Sequence, residues 1–210
     1  MVTTLMTYAG AGEADGLVTR TGGIPLAPAG TGWPTCSTCE GPMQFLAQVV
    51  LEQQGRTMAI FMCQNDPGMC DEWSPTGGGN RALLFPATGL EPIPLPALGE
   101  DDEEDVLQLG AVHIAAFEAS PAADYASAYT EWGGREGNDP AHVLGQFGGQ
   151  PAWLQGDETP ACPGCGQLMG LVAQLEEGPD YATAMNFGGC GSAYAFACTP
   201  CDQAVFLWQC

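Results

Sequence analysis

GGIPLAPAGTGWPTCSTCEGPMQFLAQ, Gly22 to Gln48, returns without a gap as GGQPAWLQGDETPACPGCGQLMGLVAQ, Gly148 to Gln174, 126 residues later. Ten of the 27 aligned positions are identical: they include a Gly-Gly-x-Pro opening, a Cys-x-x-Cys, a Met four residues after the second cysteine and a closing Ala-Gln. Further on, Ala59 to Cys63 leads to Cys70 and Trp73, as Ala195 to Cys198 leads to Cys201 and Trp208. The offset is 135 by then, so nine additional residues lie between Gln174 and Cys198. A repeat of this kind sets the architecture before any local propensity does.

A chain of 210 residues divided by such a repeat gives two lobes of roughly 60 to 80 residues, a size at which an apolar core alone is marginal and a staple is needed. The cysteines supply one. Cys162, Cys165, Cys198 and Cys201 form two C-x2-C knuckles, and Cys36, Cys39, Cys63 and Cys70 form the same arrangement with a wider second pair. Such spacing suits a tetrahedral site of four thiolates, the all-cysteine pattern of structural zinc. The opening MVTTLMTYAGAGEADG has neither a basic segment nor an apolar stretch of leader length, and no run approaches the roughly 18 apolar residues of a membrane helix. A cytoplasmic location is therefore expected, where paired cysteines are metal ligands rather than disulfides. Two zinc ions are expected, one per lobe. A site closed by four thiolates has no position for substrate water, so its role is structural. Cys190 is expected as a small buried hydrophobe and Cys210 at a frayed end.

The formal charge is −21, with Arg20, Arg56, Arg81 and Arg135 as the whole basic complement and no lysine. Two zinc sites of four thiolates each take it to −25. That surface repels phosphate backbones and favours a basic protein or peptide, with solubility alone as the plainer use of the acidity. Nucleic acid is an unfavoured partner.

Locally, Pro42 to Leu51 and Met58 to Met62 read as an antiparallel pair with a turn at Glu52 to Arg56, and Leu168 to Leu175 with Ser192 to Ala197 repeats it. Each pair has zinc-ribbon logic: a knuckle opens one strand and a second ligand pair follows the returning one. One short strand is expected around Leu17 to Thr19. Between the repeats, Phe85 to Gly99 carries four prolines and Glu100 to Asp105 is a run of acids. Val106 to Glu118 has a helical rhythm, and Ser120-Pro121 suits the start of a second helix through Trp132. The expected class is α+β and β-rich, divided as 1–21, a first repeat 22–85, a partly helical connector 86–141 and a second repeat 142–210. Trp33, Trp73, Trp153, Trp208, Met43 and Met169 are expected to pack around the cysteine clamps. His113 and His142 read as structural or surface residues, and no nucleophile, metalloprotease, phosphate-loop or dinucleotide motif occurs.

The set Gly22, Gly23, Pro25, Cys36, Cys39, Pro42, Met43, Phe45, Leu46, Gln48, Phe61 and Cys63, matched by Gly148, Gly149, Pro151, Trp153, Leu154, Gln155, Cys162, Pro163, Cys165, Met169, Gln174, Phe196 and Cys198, resembles the YwqG-like proteins and the related programmed-cell-death-protein-two and Tsr-four group. The resemblance implies a β-rich duplicated fold and, from its eukaryotic branch, a chaperone for a basic ribosomal protein. It also implies an RNA-processing role, which the charge disfavours. A hydrolase of unknown substrate and a plain scaffold are the remaining alternatives.

Overall fold

A computed structural model describes residues 2–12, 16–96, 109–180 and 182–210. The acidic run at 100–105 and the start of the expected helix at 106–108 lie outside the described residues. Twelve strands and one α-helix make up the described chain, and ten of the strands form one antiparallel sheet.

In chain order these are β1 (Thr3–Tyr8), β2 (Arg20–Thr21), β3 (Leu26–Pro28), β4 (Gln44–Leu51), β5 (Arg56–Met62), β6 (Asn80–Pro86), β7 (Leu90–Pro92), β8 (His113–Ser120), α1 (Tyr125–Gly133), β9 (Val143–Phe147), β10 (Gly170–Leu175), β11 (Ser192–Cys198) and β12 (Gln203–Gln209). The large sheet runs β12-β11-β10-β9-β1-β8-β2-β4-β5-β6, while β3 and β7 pair separately. The order is symmetrical about the central β1–β8 ladder, which runs from Thr3↔Ser120 to Tyr8↔Ala115. Each half also borrows its innermost strand: β1 pairs with β9 instead of its chain neighbour β2, and β8 pairs with β2 instead of β9. The two outer strands, β6 and β12, lie against each other, with Arg56 Nη2 2.7 Å from Asp202 Oδ1 and the Trp73 and Trp208 rings edge-on across the seam.

Alternation along the strands divides the apolar residues between two faces. One face of both halves builds a single large core: Val49, Met58, Ile60 and Met62 from one side, and Val172, Leu175, Ala193, Ala195 and Phe206 from the other. The opposite face carries a small core in each half. Met43, Phe45, Ala59, Phe61 and Ile93 surround Cys36, Cys63 and Cys70, and Met169, Tyr194, Phe196 and Leu207 surround Cys162. Since the major core draws on both repeats, neither repeat buries its apolar strands alone.

The expected hairpins are present at β4–β5 and β10–β11. The helix expected at Val106 to Glu118 does not extend over its second half: Leu109 is helical, but His113–Ser120 is a strand at the centre of the sheet. The helical rhythm of this alanine-rich stretch gives way to two waiting neighbours, β1 and β2, whose backbone groups it satisfies. The second helix begins later than Ser120-Pro121, at Tyr125, because Asp124 caps it by accepting from the Ser127 amide. The expected strand at Leu17 to Thr19 lies slightly downstream, at β2.

Both Gly-Gly turns have left-handed backbone, with φ of 63° and 76° at Gly22 and Gly23, and 61° and 79° at Gly148 and Gly149. Their surroundings differ. A Cβ on Gly22 would stand 2.1 Å from the Ala111 carbonyl oxygen, whereas one on Gly148 meets nothing within 4 Å. Gly148→Ala should therefore cost only the left-handed penalty of about 1–2 kcal/mol, and Gly22→Ala clearly more, read as a larger drop in the urea midpoint.

Candidate metal centres

The knuckle of the first repeat is built by three backbone bonds: Cys36 N to Gly41 O, Glu40 N to Cys36 O and Met43 N to Pro34 O. The second repeat makes the same three, Cys162 N to Gln167 O, Gly166 N to Cys162 O and Met169 N to Pro160 O. In each, a left-handed residue turns the chain after the second cysteine, Glu40 at φ 62° and Gly166 at φ 73°. Each fourth cysteine is followed by an aspartate at φ 50°, Asp71 and Asp202. Anchoring repeats as well. The Gln48 Oε1 accepts from Leu26 N, and Gln174 Oε1 from Ala152 N, which tie each Gly-Gly-x-Pro segment to its sheet. Two residues before each Gly-Gly, Arg20 donates to the Ile24 carbonyl, as Gln146 does to that of Gln150.

All eight expected ligands fall into two clusters, Cys36, Cys39, Cys63, Cys70 and Cys162, Cys165, Cys198, Cys201, and within each the four sulfurs lie within 4.8 Å of one another. Sulfurs at the ~2.3 Å zinc–thiolate bond length stand roughly 3.8 Å apart along the edge of a tetrahedron. The Cys39–Cys63 and Cys165–Cys198 separations are 3.6 and 3.8 Å, matching that edge and not a disulfide. Each cluster could thus hold one metal ion. At Cys39 burial pushes the thiol up, but the Gly41 amide, Asn65 and the neighbouring thiols outweigh it and hold it at about 7. Cys162 likewise, with burial opposed by the amides of Gly164 and Cys165, lies at about 7. Burial raises Cys63 to about 11, and Cys201, crowded by Cys165 and Cys198, rises to about 12. Each cluster thus pairs a thiol held low with others held high, which a bound cation would draw down.

Two supports were not apparent from the sequence. Asn65, read there as a turn residue, points Nδ2 at Cys39 Sγ and Cys63 Sγ, 3.4 Å from each. Glu72, 2% exposed, accepts from the amides of Gly68 and Cys70 and fixes the loop that carries the fourth ligand. An amide-bearing side chain two residues past a ligand cysteine is the only sequence cue for the first. Cys190 is exposed rather than buried, because Phe187 fills the apolar place and the left-handed Gly188 and Gly189 carry the chain outward. Cys210 is exposed and its carbonyl accepts from Gln155. Trp33 and Trp153 pack on the clamps as expected, edge-on to Phe61 and stacked over Phe196, whereas Trp73 is at the seam and 41% exposed.

His113 and His142 both lie on the ring of Tyr8, at 5.2 and 5.0 Å between centroids, and burial lowers the His113 pKa. A separate buried group is Glu176, which accepts from the Tyr125 and Ser192 hydroxyls at 2.8 and 3.2 Å and which burial holds above its ordinary value of 4.5. Its folded pKa exceeds its unfolded one, so the native state keeps the proton longer and this group lowers stability as pH rises above 4.5. Glu176→Gln should gain stability relative to the parent as the pH rises from 4 to 8, measured by urea titration at several pH values.

No family model matches the chain. Over 71 residues it is 37% identical to a Salmonella typhimurium protein described as uncharacterized protein YpfL, a stretch that makes up 32% of this chain and 15% of that protein. The chain thus spans a small part of that relative's length. No helix among the described residues is long and apolar enough to cross a membrane.

Proposed function

We propose that this chain is a duplicated zinc-ribbon-like protein, stapled by one Zn²⁺ in each four-cysteine cluster, whose acidic surface binds a basic protein or peptide. The repeated knuckle bonds, left-handed turns and ligand positions support the duplication and the shared metal role. Kinship with the YwqG-like group fits the same picture. So does a chaperone-like duty toward a ribosomal-type protein.

The observation that carries the partner reading is the fate of the four arginines. Arg20 is 1% exposed, donates to the Gly22 and Ile24 carbonyls and stacks 5.3 Å over Phe45. Arg56 is paired with Asp202 and Arg135 with Glu118, which leaves Arg81 as the exposed arginine without an ion pair among the described residues. One such cation cannot build the groove that a nucleic-acid backbone requires, whereas a net charge of −21 draws lysine- and arginine-rich chains. The test is fluorescence anisotropy with a labelled basic ribosomal-type peptide and a labelled single-stranded RNA. The peptide should bind, weakening steeply as salt rises, and the RNA should not bind at physiological salt. Tight RNA binding, or no peptide binding at low salt, contradicts the reading.

A further inference from the structure

We infer that the two metal sites have unequal kinetic grip: the first retains its zinc, and the second surrenders it to a soluble thiol or chelating acceptor. The inference rests on the zinc reading above and comes from how differently two otherwise matching clusters are enclosed.

Around the first cluster Cys36, Cys63 and Cys70 are 2%, 1% and 2% exposed, and only Cys39 faces solvent. Its second ligand pair is separated by six residues, and the chain after Cys70 folds back over the cluster. There Cys63 N donates to Gly79 O, Ser37 N donates to Gly78 O, and Asn80 Nδ2 donates to the Glu72 and Ser74 carbonyls. Asn65 adds a side-chain donor shared by two sulfurs and is itself fixed to the Pro42 carbonyl at 3.1 Å. Donors of this kind stabilise thiolate charge and hold ligand orientation, and their loss typically weakens metal binding 10- to 100-fold.

The second cluster lacks all of this. Cys198 and Cys201 are joined by a single 3-10 turn, Thr199–Cys201, and β12 begins two residues later, so the chain at and after this ligand pair forms no loop over the sulfurs. Cys165 is exposed, Cys198 and Cys201 are partly exposed, and only Cys162 is buried. Among the described residues no side chain other than cysteine donates to these sulfurs; the backbone supplies the Gly164 amide, 3.4 Å from Cys162 Sγ, with the Cys165 amide at Cys162 and the Cys201 amide at Cys198. An acceptor can therefore approach on the Cys165 side. With zinc bound, Cys165 would be the ligand that an incoming donor displaces first, its sulfur leaving as a thiolate that takes a proton from water, and the other three would follow. Zinc stays divalent throughout and no oxidant is required.

The experiment begins with total zinc per chain, then chases the native protein with excess 4-(2-pyridylazo)resorcinol at pH 7.5 while free thiols are trapped with N-ethylmaleimide and mapped by mass spectrometry. Release should occur in two steps of one equivalent each, the rates differing at least tenfold, with Cys162, Cys165, Cys198 and Cys201 labelled in the fast step. Asn65→Ala should accelerate the slow step about tenfold and leave the fast one unchanged. Two zinc ions leaving at one rate, or fast labelling of Cys36 to Cys70, overturns the inference while the zinc reading stands. A chain without zinc overturns both.

Discussion

Cys63→Ser should leave one zinc per chain where the proposal assigns the parent two, and lower the unfolding free energy by several kcal/mol. Cys63 is 1% exposed at the end of β5, with Phe61 and Met43 packed beside it, so its sulfur belongs both to the first cluster and to the small core under it. Structural zinc contributes on the order of 10 kcal/mol in small modules, comparable with the whole net stability of an ordinary domain. A serine hydroxyl is a poor replacement ligand, and in a buried place it adds an unsatisfied polar group. The second cluster does not share those side chains, so its zinc should remain. Zinc analysis and urea unfolding of the variant check both halves of the expectation. An unchanged zinc content would mean that the four sulfurs of the first cluster are not a common site.

Phe206→Ala should destabilise both repeats together, by about 3–5 kcal/mol. Phe206 on β12 is 1% exposed and lies in the core that also contains Met58, Ile60 and Met62 of the first repeat, with Phe187 at 6.3 Å. Lobes with private cores would confine the damage to the second repeat. A shared core spreads it: amide exchange should accelerate in β4–β5 as much as in β10–β12, and unfolding should stay a single transition. Separate transitions, with β4–β5 protection unchanged, would show that the halves are thermodynamically independent.

The cysteine clusters were legible because ligand spacing is local. Cys-x-x-Cys places two sulfurs on one turn, and the hairpins β4–β5 and β10–β11, also visible as short apolar runs, bring the second pair back. The exchange of β1 and β8 was not legible. It depends on which free edge each strand meets, and His113–Ser120 is short, rich in alanine and compatible with a helix until β1 and β2 flank it. Cys190 escaped for a similar reason: Gly188 and Gly189 can turn the chain either way, and Phe187, the larger apolar residue, takes the buried place. Asn65 escaped because its role is defined by the positions of Cys39 and Cys63 in space.

Native mass spectrometry of the purified chain, with a free-thiol count, tests the paired clusters most directly. The expected mass is that of the chain with two zinc ions bound and all eight clustered cysteines reduced. A metal-free chain with those cysteines oxidised would contradict the metal sites and make the clusters a disulfide framework.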